Sequence, residues 1–229
     1  DAMVGCDPAL PVGWPATFSL YSYNPILVPT ASAATQGADN VYAPDLHDFA
    51  GVRVMWYGGQ GSDGHDRIFV AWVKDGMQWR KWPSDAAPAA VLDVGTSNHV
   101  NDPSVVRIGD TWRMYYTDAP VAENDEIWLA ESPKLTGFSK VQRVLGKGPA
   151  GSWDEGEVGR PAVLYEGGIY RMWYDGTAKG RRHVGLATST DGVTFTRAPQ
   201  NPIFQDAGAV DVKLVGNVYV MLREGGDGT

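Results

Sequence analysis

The sequence has little cysteine, little histidine and no excess of positive charge, and it lacks long apolar runs. Its single cysteine, Cys6, excludes an internal disulfide and a CxxC metal motif. The four histidines show no metal-ligand spacing such as HExxH, so no metal site is predicted. The net charge of −8 argues against a nucleic-acid partner, because phosphate binding requires a basic surface. No apolar run approaches the roughly 18 residues of a membrane span, so no membrane partner is predicted.

The residues that are abundant are typical of β-structure. The 229 residues include nine tryptophans, ten tyrosines, 28 glycines and 15 prolines, which favour strands and turns over helices. Hydrophobic residues make up 43% of the chain, which is enough for a substantial core. The acidic charge balance also suits a carbohydrate site, where carboxylates both bind and react.

One hairpin pattern occurs three times along the chain. Around residues 161–176, two apolar runs flank Gly167-Gly168, and this arrangement predicts a β-hairpin. Each hairpin is followed by a third β-rich run and then by an aromatic residue that marks a fourth strand. The three hairpins begin at prolines 59 and 58 residues apart, and a four-stranded unit of that length is typical of a propeller blade. Each proline precedes a methionine by eleven residues, in the pairs Pro44 and Met55, Pro103 and Met114, and Pro161 and Met172.

The repeats predict an all-β fold, a β-propeller of four-stranded antiparallel blades of which about four are visible. We expect a single domain over residues 1–229, with repeats at about 25–83, 84–143 and 144–201 and half-blades at 1–24 and 202–229. The match of Phe18 and Asn24-Pro25 to Phe195 and Asn201-Pro202 supports this register. Either the half-blades join into a fourth blade, or the chain is part of a five-bladed ring. The sequence leaves both completions open.

Several motifs resemble those of the five-bladed propeller glycoside hydrolases, namely families 43, 32, 62, 68 and 130 and their relatives. The resemblance covers about residues 18 to 222, and it implies the five-bladed type of fold. The motifs are Asn24-Pro25-Ile26-Leu27, Val41-Tyr42-Ala43-Pro44-Asp45, Asn101-Asp102-Pro103-Ser104-Val105, Tyr170-Arg171-Met172-Trp173-Tyr174 and residues 184–192, VGLATSTDG.

The resemblance implies three catalytic residues. Asp45 ends a motif similar to Trp-Ala-Pro-Asp of the second family 43 blade, which implies substrate contact. Asp102 opens a motif similar to the third-blade Asp-Pro-Ser, whose Asp orients the acid and tunes its pKa. Glu157 is similar to the fourth-blade acid, although it lies four residues before Pro161 rather than two. The base is not recognisable, and Asp7 is the N-terminal candidate. As an alternative, each acid caps a turn or lies solvated.

Four further residues are predicted to bind substrate. Arg160 occupies the position equivalent to Asp102, where it could clamp an anionic group or pair with Glu157. His99 lies just before Asp102 and faces the pocket or the surface. Trp153 could stack on a sugar ring, with packing between blades as the alternative. Asp154, in the loop before Glu157, is a rival for the acid. No cofactor is required, and the resemblance allows a structural calcium ion at the propeller axis.

The sequence therefore predicts a glycoside hydrolase that acts on a plant or microbial glycan by general acid/base catalysis with axial carboxylates. The alternatives are a non-catalytic carbohydrate-binding propeller and a glycoside phosphorylase of the same fold. The expected partner is an oligo- or polysaccharide, and the sequence does not fix the oligomeric state. A protein with such a substrate is expected to be secreted or periplasmic, although no signal peptide is visible at Asp1.

Overall fold

The computed structural model of the protein describes residue 22 and residues 24–30, 40–74, 78–95, 98–120 and 125–225. These residues form strands, turns and loops without a helix, which confirms the all-β prediction. Asp7 and nearly all of the half-blade predicted at 1–24 lie outside the described residues. None of the described segments is a helix long and apolar enough to cross a membrane.

Three antiparallel sheets have their strands in chain order, and a two-stranded sheet follows them. The first sheet contains β1 (Tyr42–Phe49), β2 (Val52–Gln60), β3 (Asp66–Val73) and β4 (Arg80–Lys81). The second contains β5 (Asn98–Ile108), β6 (Thr111–Pro120), β7 (Glu126–Ser132) and β8 (Ser139–Leu145). The third contains β9 (Glu157–Glu166), β10 (Ile169–Ala178), β11 (Arg181–Ser189) and β12 (Thr196–Arg197), and β13 (Phe204–Gln205) also pairs with β11. The fourth contains β14 (Ala207–Val215) and β15 (Val218–Gly225).

The repeated spacing of the sequence reappears in the pairing of the strands, although β13 pairs with the third sheet and lies within the half-blade predicted at 202–229. The proline-to-methionine spacing spans the first hairpin of each of the first three sheets, so that Leu46 pairs with Met55, Val105 with Met114 and Val163 with Met172. The aromatic residues predicted for the fourth strands, Trp79, Phe138 and Phe195, lie immediately before β4, β8 and β12. The extent of the domain and its closure as four or five blades stay predictions.

The core lies between successive sheets, because neighbouring residues of a strand point to opposite faces. In β6, buried Tyr116 packs toward the first sheet beside Trp56. The adjacent Tyr115 is also buried but packs toward the third sheet beside Met172. A smaller cluster that includes Trp173 joins the third sheet to the fourth. This stacking sets the first strands of all four sheets (β1, β5, β9 and β14, the inner strands) side by side.

Candidate functional site

Each inner strand carries the same backbone irregularity near its beginning. The pairing with the second strand of the sheet shifts register at this point in all four sheets. The residue at the shift has a positive φ angle, which costs a non-glycine residue on the order of 1 kcal/mol or more. These residues are Ala43 (φ 45°), Asp102 (51°), Arg160 (48°) and Ala209 (37°). Strain repeated at equivalent positions indicates a site rather than a local accident.

The four strained residues line a cavity of about 350 Å³, the axial cavity, to which every sheet contributes the equivalent stretch of its inner strand. The first sheet contributes Asp45, the second Asp102 and the third Arg160, so three of the predicted site residues meet there. The predicted convergence of inner-strand residues on one pocket is thus seen for these three. A closed propeller requires such a pocket at its hub.

Asp102 is partly buried and is bound from its own sheet by Thr117. The Thr117 hydroxyl donates a hydrogen bond to Asp102 Oδ2 at 3.0 Å. Burial raises the pKa of the Asp102 carboxyl, and the charge of Arg160 and the bond from Thr117 only partly offset this effect. A carboxyl with a raised pKa is a better proton acceptor near neutral pH than an ordinary aspartate.

Arg160 is held in place by a buried carboxylate. Its Nη1 donates to Asp175 Oδ2 at 2.8 Å, and Asp175 is 2% exposed. Its backbone N–H donates to Thr117 Oγ1 at 2.8 Å, so a single hydroxyl bonds both Asp102 and Arg160. A similar bond joins the third sheet to the fourth, since Asp175 Oδ2 also accepts the backbone N–H of Ala209 at 3.4 Å.

Gly159 allows this close approach of the second and third sheets. A Cβ atom on Gly159 would lie 3.1 Å from Thr117 Oγ1 and 3.2 Å from its Cγ2. Both distances are tighter than ordinary van der Waals contact, so a side chain here would displace the threonine. The Gly159-Arg160-Pro161 sequence therefore combines a close contact with a charged residue at the cavity wall.

Asp45 is buried, and both of its carboxylate oxygens are engaged. Oδ2 accepts the Val105 N–H at 2.7 Å and lies 2.9 Å from His47 Nε2, while Oδ1 lies 3.4 Å from Lys213 Nζ. Burial alone would raise the pKa of Asp45, but the bond and charge of His47, the charge of Lys213 and the Val105 N–H outweigh it and lower the pKa. Asp45 is therefore placed to stay ionised.

Glu157 lies outside the axial cavity, in a second cavity of about 390 Å³. Its carboxylate is 3.5 Å from the Thr177 hydroxyl, and Lys179 and Arg182 line the same cavity. It precedes Arg160 by three residues on β9, so the two backbones are about 10 Å apart at the usual rise of a strand. The predicted pair Asp102 and Glu157 thus lines two different cavities at the same end of the inner strands.

Asp125 interacts electrostatically with residues of both cavities. Its backbone carbonyl accepts the Val158 N–H at 3.1 Å, which places it beside Glu157. Its carboxyl also interacts electrostatically with Arg160 and Asp102. Burial, followed by the negative charge of Glu157, raises the pKa of Asp125 to about 6. Asp125 was not among the residues predicted from the sequence.

Three other predicted binding residues contact protein groups and line neither cavity. His99 Nδ1 lies 2.7 Å from Asp66 Oδ2 at the boundary of the first and second sheets. The Trp153 ring lies 5.5 Å from the Tyr174 ring. Asp154 is 1% exposed and accepts a 2.7 Å bond from Arg197 Nε. Substrate contact by His99, Trp153 and Asp154 stays a prediction.

The residues missed from the sequence share a signal that alignment of the repeats reveals. Thr117 and Asp175 each lie fourteen residues after the proline of their repeat, and Asp125 lies 22 residues after Pro103. Within the described part of the chain, no group of three or more His, Cys, Asp or Glu side chains is arranged to hold a metal ion.

Comparison with known sequences finds relatives over part of the chain. No protein-family model matches the chain. Two uncharacterized proteins of Mycobacterium tuberculosis are 30% identical over 135 residues, which is 56% of this chain and 43% of each relative. The chain thus spans less than half the length of these curated relatives.

Three solved structures that share the fold are named as enzymes that act on glycosides. A family 117 glycoside hydrolase from Zobellia galactanivorans matches with TM-score 0.65 and 14% identity over 82% of this chain and 67% of that one. A thermostable family 43 glycoside hydrolase matches with TM-score 0.62 and 19% identity, over 83% and 63%. A β-1,2-mannobiose phosphorylase from Listeria innocua matches with TM-score 0.66 and 16% identity, over 82% and 56%. The chain has the β-propeller fold of these hydrolases and phosphorylases, which confirms the resemblance at the level of fold.

Proposed function

We propose that the protein is an enzyme that hydrolyses glycosidic bonds at the inner ends of its sheets. The observation that carries the proposal is the meeting of Asp102 and Arg160 at strained, equivalent positions of the axial cavity, with Glu157 in a second cavity at the same end. The fold, shared with glycoside hydrolases, supports the same reaction class. Fold alone does not define a reaction, so the site carries the argument.

Hydrolysis of a glycosidic bond needs one carboxyl group that gives a proton and one carboxylate that receives one. The C–O bond to the leaving sugar breaks, its electron pair stays on the leaving oxygen, and that oxygen takes the proton of Glu157. Water supplies the oxygen that bonds to the anomeric carbon. The proton released from water passes to a carboxylate, a role for which Asp102 is suited by its place in the cavity and its raised pKa.

The experiment is a screen of the full chain on 4-nitrophenyl glycosides of arabinose, xylose and mannose and on fructose-containing oligosaccharides. We expect cleavage of at least one substrate, and a loss of about 100-fold or more in kcat for Asp102→Asn and for Glu157→Gln. Asp110→Asn is the matched control, because this carboxylate lies in the exposed turn between β5 and β6. If the parent cleaves a substrate and both variants match it, the site assignment is wrong.

A second candidate is phosphorolysis, in which phosphate replaces water as the attacking group. Arg160 in the axial cavity favours it, because a guanidinium is well suited to bind phosphate. The discriminating measurement is the dependence of cleavage on inorganic phosphate and the appearance of a sugar phosphate. Cleavage that is independent of phosphate supports hydrolysis. Saturable binding of glycans without cleavage supports a non-catalytic binding protein instead.

A further inference from the structure

The boundaries between successive sheets bring together residues at equivalent positions of the repeats. The first of the two residues lies 22 positions after the proline of its repeat. The second lies on the next inner strand, four positions before Pro103, Pro161 or Val210. At the first boundary, Asp66 Oδ2 lies 2.7 Å from His99 Nδ1. At the third boundary, the partners are reversed, and Asp206 donates its backbone N–H to His183 Nδ1 at 3.2 Å. An aspartate residue and a histidine thus occupy these positions at both boundaries, although the Asp206 carboxylate itself binds Arg181.

The second boundary has two acids in these positions. Asp125 occupies the position of Asp66 and His183, and Glu157 occupies that of His99 and Asp206. The hydrogen bond from Val158 N–H to the Asp125 carbonyl, 3.1 Å long, fixes the two backbones side by side. This boundary therefore brings two carboxyl-bearing residues together where the other two have an aspartate and a histidine, and the charge of Glu157 acts on the Asp125 carboxyl.

Two carboxyl groups held together in a partly buried place do not both ionise readily, because their negative charges repel. The structure offers only incomplete neutralisation. Arg160 offsets part of the negative charge around Asp125, while Asp102 and Asp175 add to it. Lys179 and Arg182 line the cavity on the Glu157 side of the pair. Arg160 is itself hydrogen-bonded to Asp175 at 2.8 Å. A proton on Asp125 relieves this repulsion, in keeping with its raised pKa.

We propose that Asp125 and Glu157 form a carboxyl pair that shares one proton and supplies it to the leaving oxygen of the substrate. The inference rests on the proposed function and deepens it, because it assigns the proton donor to a pair rather than to Glu157 alone. Glu157 lines the open second cavity, so the shared proton can reach a ligand there. When the proton leaves, both carboxylates are ionised, and proton uptake from solvent restores the pair.

This assignment predicts how the reaction depends on the leaving group. A substrate with a poor leaving group, such as a phenyl glycoside, needs the donated proton, whereas a 2,4-dinitrophenyl glycoside of the same sugar does not. Loss of a proton donor lowers rates by about 100-fold or more where the proton is needed. Loss of a residue that only supports the fold lowers both rates equally.

The test compares Asp125→Asn with the parent on phenyl and dinitrophenyl glycosides of the sugar that the parent cleaves. Glu126→Gln is the matched control, because this neighbouring carboxylate binds Arg143 at 3.0 Å on the exposed side of the sheet. We expect kcat/KM of Asp125→Asn to fall about 100-fold for the phenyl glycoside and less than about 10-fold for the dinitrophenyl glycoside. The alkaline limit of its pH–rate profile should also shift, whereas Glu126→Gln should behave as the parent in both respects.

The outcomes separate the two proposals. Equal losses on both substrates, or no loss on either, overturn the role of Asp125 and leave the proposed function in place. A parent that cleaves none of the substrates overturns the proposed function and, with it, this assignment. Circular dichroism and a melting curve at pH 5 establish that Asp125→Asn is folded before the rates are compared.

Discussion

The ammonium group of Lys213 lies 3.4 Å from a carboxylate oxygen of Asp45, although 168 residues separate the two in the chain. The contact joins β14 of the fourth sheet to β1 of the first, the two ends of the array of sheets. Asp45 also bonds Val105 N–H of the second sheet at 2.7 Å. One buried carboxylate thus connects three of the four sheets.

Replacement of Lys213 tests this connection through the pH dependence of stability. The pKa of Asp45 is lowered in the folded protein, so the stability that its carboxylate contributes is present above about pH 4 and is lost as the pH falls. We expect Lys213→Met to lower the free energy of unfolding at pH 7 by less than about 1 kcal/mol, because Lys213 is 44% exposed. The difference from the parent should shrink as the pH falls below about 4. Urea unfolding at several pH values measures it, Lys74→Met is the exposed control, and a pH-independent difference would contradict the connection.

The raised pKa of Asp125 predicts a site residue whose removal stabilises the protein. The native state holds this proton more tightly than the unfolded chain, so the contribution of the carboxyl to stability is largest below about pH 4 and falls as the pH rises through about 6. After allowance for solvent screening, we expect Asp125→Asn to raise the free energy of unfolding at pH 7.5 by about 1 kcal/mol and the melting temperature by about 3 °C. Thermal unfolding at pH 7.5 and pH 4 provides the comparison, with Glu126→Gln as control. A gain of the same size at pH 4 would rule out this cause.

Thr117 is predicted to control both Asp102 and Arg160 through its single hydroxyl. Thr117→Val removes the donor to Asp102 and leaves the Arg160 N–H without its acceptor, which we expect to cost about 1–3 kcal/mol. In the parent, the bond from Thr117 lowers the pKa of Asp102, so loss of this bond in the variant should raise that pKa further. Thr117→Ser keeps the hydroxyl and should retain most of the stability. Melting curves and pH–rate profiles of the two variants are the measurements, and equal behaviour of Val and Ser would exclude the hydroxyl as the cause.

Trp153 is expected to matter for stability more than for sugar binding. A Cβ atom on Gly176 or Gly185 would lie 2.7 or 2.6 Å from the Trp153 ring, so the ring packs directly on the backbones of β10 and β11. Trp153→Ala should destabilise the protein by about 3 kcal/mol. Its KM for a cleaved substrate should stay within about twofold of the parent value at a temperature where the variant is folded. A large rise in KM with little loss of stability would instead support the predicted stacking on a sugar ring.

Local sequence patterns predicted the strands well, because turn residues and the alternation of apolar residues mark a strand within a few positions. The repeated proline-to-methionine spacing defined three hairpins, and Trp79, Phe138 and Phe195 located the fourth strands. Such signals lie within one repeat, where spacing of two residues fixes the buried face of a strand. The resemblance to the propeller glycoside hydrolases brought Asp45, Asp102 and Arg160 into consideration, and these three residues meet in the axial cavity.

The rest of the site depends on contacts between repeats, which no local pattern contains. Asp125 is unremarkable in its own repeat, and its significance arises only where Val158 of the next sheet bonds its carbonyl. Asp175 likewise acquires its role from Arg160 and from Ala209 in two successive sheets. The positive φ angles of the inner strands were also not predicted, since alanine and arginine rarely adopt them.

The shared bend of the inner strands has a consequence for how such a hub can change over time. Ala43, Asp102, Arg160 and Ala209 adopt one backbone shape with three different side chains, so the shape does not depend on the residue that occupies it. Acidic, basic or apolar side chains can therefore be exchanged at these four positions without a change in the backbone. An aspartate grafted at position 43 or 209 would face the same central space as Asp102, which makes these two alanines the natural places to install new chemistry.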